Sequence, residues 1–161
     1  MVTPSGPMRV TPASLRLVRA APSNSTVTPI DLATGVPGRP VEPVRGNTVT
    51  ALALSPDGAA VYATSFLSSG STVPTDTPGT MTAIKAASGR PGPAVNAGDN
   101  PSAIAITPDG TTAYVADSPG SGPGTVTPIQ IATGTRGKPI PVGREPVAIA
   151  LTSGTNPNGT R

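Results

Sequence analysis

A chain of 161 residues carrying 19 Gly, 22 Pro, 35% hydrophobic residues and a net charge of +3 has the length of one domain. Gly and Pro at that level without periodicity mark a disordered chain, so any order here must rest on pattern. The absence of Cys and His excludes disulfides, thiolate metal ligands, Cys nucleophiles, His metal clusters and Ser-His-Asp triads.

The charge excess sits in Arg9, Arg16 and Arg19, whereas eight basic and eight acidic side chains balance from Asp31 onward. The balanced part offers no basic stripe for phosphates, so no nucleic-acid partner is expected. No run approaches the ~18 apolar residues of a membrane span. The opening MVTPSGPMRVTPASLRLVRA lacks the apolar stretch of a signal peptide, so nothing in it is expected to export the chain. Tyr62, Phe66 and Tyr114 are the only aromatics, so the core must be built from Val, Ile, Leu and Ala.

In chain order, residues 1–25 read as an irregular basic head. Ala13–Ala20, ASLRLVRA, is its one helical candidate, and it contains no strand-like Tyr-Val run. Three segments then open alike: TVTPIDLATG from Thr26, TMTAIKAASG from Thr80 and TVTPIQIATG from Thr125. Each leads into a Pro-bearing run (GRPVEPV, GRPGPAV, GKPIPVG) and then an apolar alternation (VTALALSPDG, PSAIAITPDG, PVAIALTSGT). VYATS or AYVAD follows, then a Gly/Ser/Pro loop. The openings lie 54 and 45 residues apart; the longer loop Phe66–Gly79 accounts for the difference from Ser118–Gly124.

Each unit holds four short runs of period-two alternation rich in Val, Ile and Thr, separated by ATG, ASG and PDG turns. The Pro-bearing run fits only an edge strand, because Pro cannot donate to a ladder. Four strands per repeat of ~40–50 residues, with one outer edge, is the pattern of a propeller blade. The expected fold is all-β: blades of four antiparallel strands in an incomplete ring of about three blade equivalents. The expected division is a half blade at 26–44, blades at 49–96 and 102–142, an inner strand at 146–152 and a tail at 153–161.

On TPDGTTAYVAD, TVTPIQIATG and REPVAIALT, the chain resembles the YVTN-type β-propeller repeats of bacterial surface-layer and related proteins. AYVAD stands at the family's signature position, with Asp117 in place of the common Asn and Ser65 there in the other copy. The resemblance implies a strand order A to D from the ring's centre outward. It also implies rings most often of seven blades, an extracytoplasmic or envelope setting, and many members without enzymatic activity. Both ends would then present open strand edges. The expectation is a fragment or truncated member of a larger propeller, completed by self-association or by another propeller segment. A protein or cell-envelope ligand is a further possible partner.

The connections RGNT (Arg45–Thr48), GDN (Gly98–Asn100) and GRE (Gly143–Glu145) lead into inner strands and would ring the channel mouth. Arg45, Asp99, Asn100, Arg144 and Glu145 are therefore the candidate ligand- or partner-binding residues. The competing reading is solvated loop charges, as most surface charges are. Asp57 and Asp109 could pair as catalytic carboxylates, but Pro-Asp-Gly is turn chemistry that recurs once per blade. Asp117 reads as a turn-forming or strand-capping residue. PGSGPG (Pro119–Gly124) lacks the Lys and the following helix of a phosphate loop. Asn24 and Asn158 match the N-glycosylation pattern. No catalytic residue, cofactor or metal is assigned. The expected function is a non-enzymatic structural and protein-interaction module. The alternative is the remnant or subunit of a lactonase- or dehydrogenase-like propeller enzyme, active only in a completed ring.

Overall fold

The computed structural model describes residues 16–21, 25–31, 33–67, 78–119 and 122–152. Asn24, Asn158, the tail 153–161 and most of the loop Phe66–Gly79 lie outside them. Ten strands occur in the order β1 (Arg16–Ala21), β2 (Thr26–Asp31), β3 (Asn47–Leu54), β4 (Ala60–Leu67), β5 (Pro78–Lys85), β6 (Pro91–Asp99), β7 (Pro101–Ile106), β8 (Thr112–Asp117), β9 (Thr125–Gln130) and β10 (Ile140–Pro141). All pairings are antiparallel, and no helix occurs among the described residues.

Two four-stranded sheets run β3-β4-β5-β6 and β7-β8-β9-β10, each in simple up-and-down order. Their correspondence extends to irregularities. Each inner pair carries a bulge at the same place, between Val49 and Ala51 and between Pro101 and Ala103. In each, the hydroxyl of the intervening residue bonds the facing strand: Thr50 Oγ1 donates to the Thr64 carbonyl at 3.3 Å, and Ser102 Oγ to the Ala116 carbonyl at 3.1 Å. A bulge leaves one residue out of the ladder, and a short hydroxyl side chain there recovers a hydrogen bond.

Proline sets the outer edge, as its missing N–H requires. In β10 the run Lys138-Pro139-Ile140-Pro141 pairs over two residues only. In the first, partial sheet, Val41 forms a single bridge to Val27, with N···O distances of 2.7 and 2.8 Å. The turns from third to fourth strand repeat three times: Gly35, Gly89 and Gly134 each donate to the carbonyl four residues earlier, at 2.7–2.8 Å. Their φ values of 70°, 66° and 69° are the left-handed conformation for which glycine is suited.

The core lies between the sheets. Val27, Val49, Val61, Ala63 and Ile84 bury one junction; Tyr62, Met81, Ala97, Ile104, Val115 and Ile129 contribute to the next. Inner strands β3 and β7 lie against each other. Burying each Val or Ile contributes about 1.5–3 kcal/mol.

Two segments differ from expectation. Arg16–Ala21, expected as irregular chain with a helical candidate, is strand β1 and pairs with β2 from Arg16↔Asp31 to Ala21↔Thr26. Ala21↔Thr26 corresponds to Ser65↔Thr80 and Asp117↔Thr125, so β1 occupies the second-strand position of the first sheet. Weak local helical preference is overridden by a partner strand whose backbone groups need pairing. Residues 146–152, expected as an inner strand, carry no strand assignment. No strand lies beside them among the described residues, and a strand is defined by its ladder.

Candidate functional site

The carboxylates that could have been catalytic are engaged in their own turns. Asp57 Oδ1 accepts from Ser55 Oγ at 2.5 Å and from the Ala59 N–H at 3.0 Å. Asp109 Oδ1 accepts from Thr107 Oγ1 at 2.5 Å, the Thr111 N–H at 3.0 Å and Thr111 Oγ1 at 2.9 Å. The hydroxyl donors, then the backbone donors, hold both carboxyls below the usual Asp range. Gly58 and Gly110, both at φ 70°, complete the turns. The two carboxylates line one cleft with Tyr62 and Pro56 on the turn face.

The five loop candidates occupy the opposite connections. Arg45 is exposed in the turn before β3, Asp99 ends β6, and Asn100 joins β6 to β7. Arg144 and Glu145 are exposed in the bend after β10. Asn100 and Glu145 sit at equivalent positions, each before a proline, with φ of 51° and 52°. That shared left-handed backbone makes both residues part of how one blade hands the chain to the next. The prolines that follow close the joint: a Cβ on Gly79 would lie 2.2 Å from Pro101 Cδ, and one on Gly124 would lie 2.4 Å from Pro146 Cδ.

Asp117 is the residue whose environment sequence reasoning missed. It is 2% exposed at the end of β8. Its Oδ2 accepts from Thr127 Oγ1 at 2.7 Å and from Thr125 Oγ1 at 3.3 Å. Its Oδ1 is buried with no partner among the described residues. The carboxylate rests on the open face of Gly98 in the preceding sheet, where a Cβ would come within 2.3 Å of Oδ2. Burial pushes its pKa up to about 6; the two threonines and Arg136 oppose the shift, and Asp99 adds to it. Arg136 also crosses the junction, donating from Nη1 to Asn96 Oδ1 at 2.9 Å. The available signal was an acid closing an apolar run, with a Thr-Val-Thr opening the next strand eight residues later.

The sister blade shows what a shorter side chain does. Ser65 replaces the acid and reaches Thr80 Oγ1 at 3.0 Å, while Asn47 Nδ2 donates to Ser65 Oγ at 3.4 Å. Thr82, the counterpart of Thr127, is fully buried and its hydroxyl has no partner among the described residues. Thr82→Val is therefore expected to stabilise the protein by about 1 kcal/mol, by removing an unsatisfied hydroxyl. Thr127→Val is expected to destabilise it by about 2 kcal/mol, because it strips a donor from a buried carboxylate. Urea denaturation of the two variants checks the pair; equal signs would contradict the proposed division of labour.

No protein-family model matches the chain, and no curated protein matches it. Among solved structures, it is similar to hydrazine synthase of Kuenenia stuttgartiensis, with a TM-score of 0.69 and 26% identity over 86% of this chain and 36% of that one. A candidate 6-phosphogluconolactonase of Bacteroides fragilis NCTC 9343 follows with a TM-score of 0.49 and 21% identity, over 77% of this chain and 35% of that one. The tricorn protease gives a TM-score of 0.48 and 9% identity, over 75% of this chain and 11% of that one. The chain thus spans about a third, or less, of the structures it matches. The likeness to hydrazine synthase, the up-and-down sheets and the cores between them make this an all-β chain of β-propeller blades, short of a closed ring among its described residues.

Proposed function

We propose that the chain is a non-enzymatic β-propeller segment acting as a structural and protein-interaction module. The observation that carries this reading is segment 146–152. It leaves β10 as β7 leaves β6, no strand flanks it among the described residues, and Val147 and Leu151 are 82% and 39% exposed. An apolar inner segment with open backbone groups is a docking edge for another strand. The engagement of Asp57 and Asp109 in turn geometry supports the same reading, because these recurring acids serve the scaffold. The resemblance to YVTN repeats supports an envelope association.

A second reading, a subunit or remnant of a propeller enzyme with lactonase- or dehydrogenase-like chemistry, draws support from the likeness to hydrazine synthase, an enzyme by name. Incubating the assembled, ring-completed form of the chain with lactone substrates, with and without added divalent metal, separates the two. The expected rate equals that of buffer. Saturable turnover that survives repurification would overturn the module reading.

A further inference from the structure

We propose that the outer cleft between the first and second sheets binds an extended acidic peptide, with Arg39 and Arg90 as the residues that hold its carboxylates. The inference rests on the module reading above and names a partner chemistry for it.

The cleft lies where the outer run of the first sheet meets the turn from third to fourth strand of the second. Arg39, Pro40 and Val41 stand on one wall, and Ala86, Gly89 and Arg90 on the other. Its volume is about 540 Å³. The walls approach at Gly89, where a Cβ would lie 3.2 Å from Val41 Cγ2.

The next joint repeats this architecture with different side chains. Val27↔Val41 and Met81↔Val95 are equivalent pairings, so Arg39 corresponds to Pro93 and Glu42 to Asn96. The matching turns closed by Gly89 and Gly134 make Ala86 the counterpart of Ile131, and Arg90 that of Thr135. The second cleft is accordingly smaller, about 220 Å³, with Pro93, Val95 and Ile131 in its walls. It is also tighter: a Cβ on Gly134 would lie 2.6 Å from Val95 Cγ1. Beside it, Arg136 ties the two sheets together through its hydrogen bond to Asn96.

The first joint has no such tie. Pro91 holds the position of Arg136, since Ile84↔Pro91 matches Ile129↔Arg136. Glu42 turns along its own chain, where its Oε1 accepts from the Gly46 N–H at 3.3 Å. Arg39 and Arg90 are both exposed, and neither guanidinium has a hydrogen bond or ion pair among the described residues. One joint is closed by the protein's own hydrogen bond; the other is open and bordered by two unpaired cations.

Those groups define the ligand. A guanidinium presents a planar fork that fits a carboxylate through two parallel N–H···O bonds. A single exposed pair of this kind is weak. The two arginines come from different sheets, so the ligand's charges must be spaced along a chain and not concentrated in one ion. Two carboxylates on one chain engage both arginines in a single association. Pro40 and Pro91 have no N–H to donate, so side chains and not a strand ladder must supply the recognition. A segment alternating acid and proline suits these walls. It is already extended before it binds, which lowers the entropy cost of ordering it.

The test uses the full 161-residue chain and a fluorescein-labelled octapeptide of alternating glutamate and proline, read by fluorescence anisotropy. Saturable binding is expected. R39Q and R90Q are each expected to weaken it about threefold, and the double variant about tenfold. The same octapeptide with glutamine in place of glutamate should also bind about tenfold more weakly. K138Q removes a charge at the position of Arg39 in the third sheet and is expected to leave the affinity unchanged. A86I gives this cleft the residue of the narrower one and should weaken binding with no change of charge. R39E/R90E should prefer an octapeptide of alternating lysine and proline. Inorganic phosphate is expected to displace no more peptide than sodium chloride of equal ionic strength. No saturable binding, an equal loss from K138Q and R39Q, or a specific displacement by phosphate would overturn the peptide site. Such failure leaves the lactone assay to judge the module reading, and turnover in that assay would leave the peptide site intact.

Discussion

Gly98→Ala is expected to destabilise the folded protein by about 3–5 kcal/mol, measured by urea denaturation at fixed protein concentration. Two costs combine. Gly98 has φ of 104°, beyond the left-handed well that other residues visit, and holding alanine there costs about 1–3 kcal/mol. The added Cβ also meets all three carboxylate atoms of Asp117 at 2.3–2.4 Å. That carboxylate cannot swing aside cheaply, because its anchorage by Thr127 and Thr125 would be lost within a buried site. Gly35→Ala separates the two costs. Its φ is 70° and nothing lies within 4 Å of its Cβ position, so only a backbone cost of about 1 kcal/mol is expected. Adding Asp117→Ser, the residue of the sister blade, to Gly98→Ala should recover at least 1 kcal/mol beyond additivity. Equal costs at Gly35 and Gly98, or strict additivity with Asp117→Ser, would show that the collision carries no energy.

The joint that this variant attacks marks the boundary of what the sequence discloses. Features governed by near neighbours are legible. The Pro-Asp-Gly turns form because a hydroxyl two residues before the acid and an N–H two residues after it converge on one carboxylate oxygen. Outer edges are legible because proline removes ladder donors. Strand β1 is not, because RLVRAA carries no alternation of its own and becomes a strand through β2. Nor is the left-handed backbone of Asn100 and Glu145. A following proline normally steers a residue toward extended conformations, and only the seating of that proline on a glycine of the preceding sheet reveals the need. Of the candidate residues read from the repeat pattern, Arg45, Asn100, Arg144 and Glu145 sit on connections, and Asp99 ends strand β6. Their geometric role depends on contacts some 20 residues away. Asp117 is the extreme case: its burial is made by Gly98 on another sheet, and AYVAD and VYATS look alike until Thr82 and Thr127 are compared.

Asp117 also makes stability depend on pH in an unusual direction. Its carboxyl titrates near 6 in the folded protein, because burial outweighs its hydrogen bonds, against an ordinary value of 3.8. The folded state therefore holds the proton over a window in which the unfolded state has released it. Stability from this group is complete below about pH 4 and is lost as the pH rises through 6. With allowance for solvent screening, the loss is about 2 kcal/mol. Asp57 and Asp109, with lowered values, act oppositely: their contribution is lost only as the pH falls below the ordinary carboxyl range. The comparison that isolates Asp117 is with Asp117→Asn. An amide keeps an acceptor for Thr127 and carries no charge to bury, although its NH₂ inherits the place where Oδ1 has no partner. Asp117→Asn is accordingly expected to be more stable than wild type by about 1–2 kcal/mol at pH 7.5. The advantage should shrink through pH 5.5 and vanish by pH 4. Urea denaturation of both proteins at those three pH values gives the difference directly. A constant difference would mean that Asp117 does not titrate in this window. A variant less stable at pH 7.5 would mean that the unpaired amide donor costs more than the buried charge.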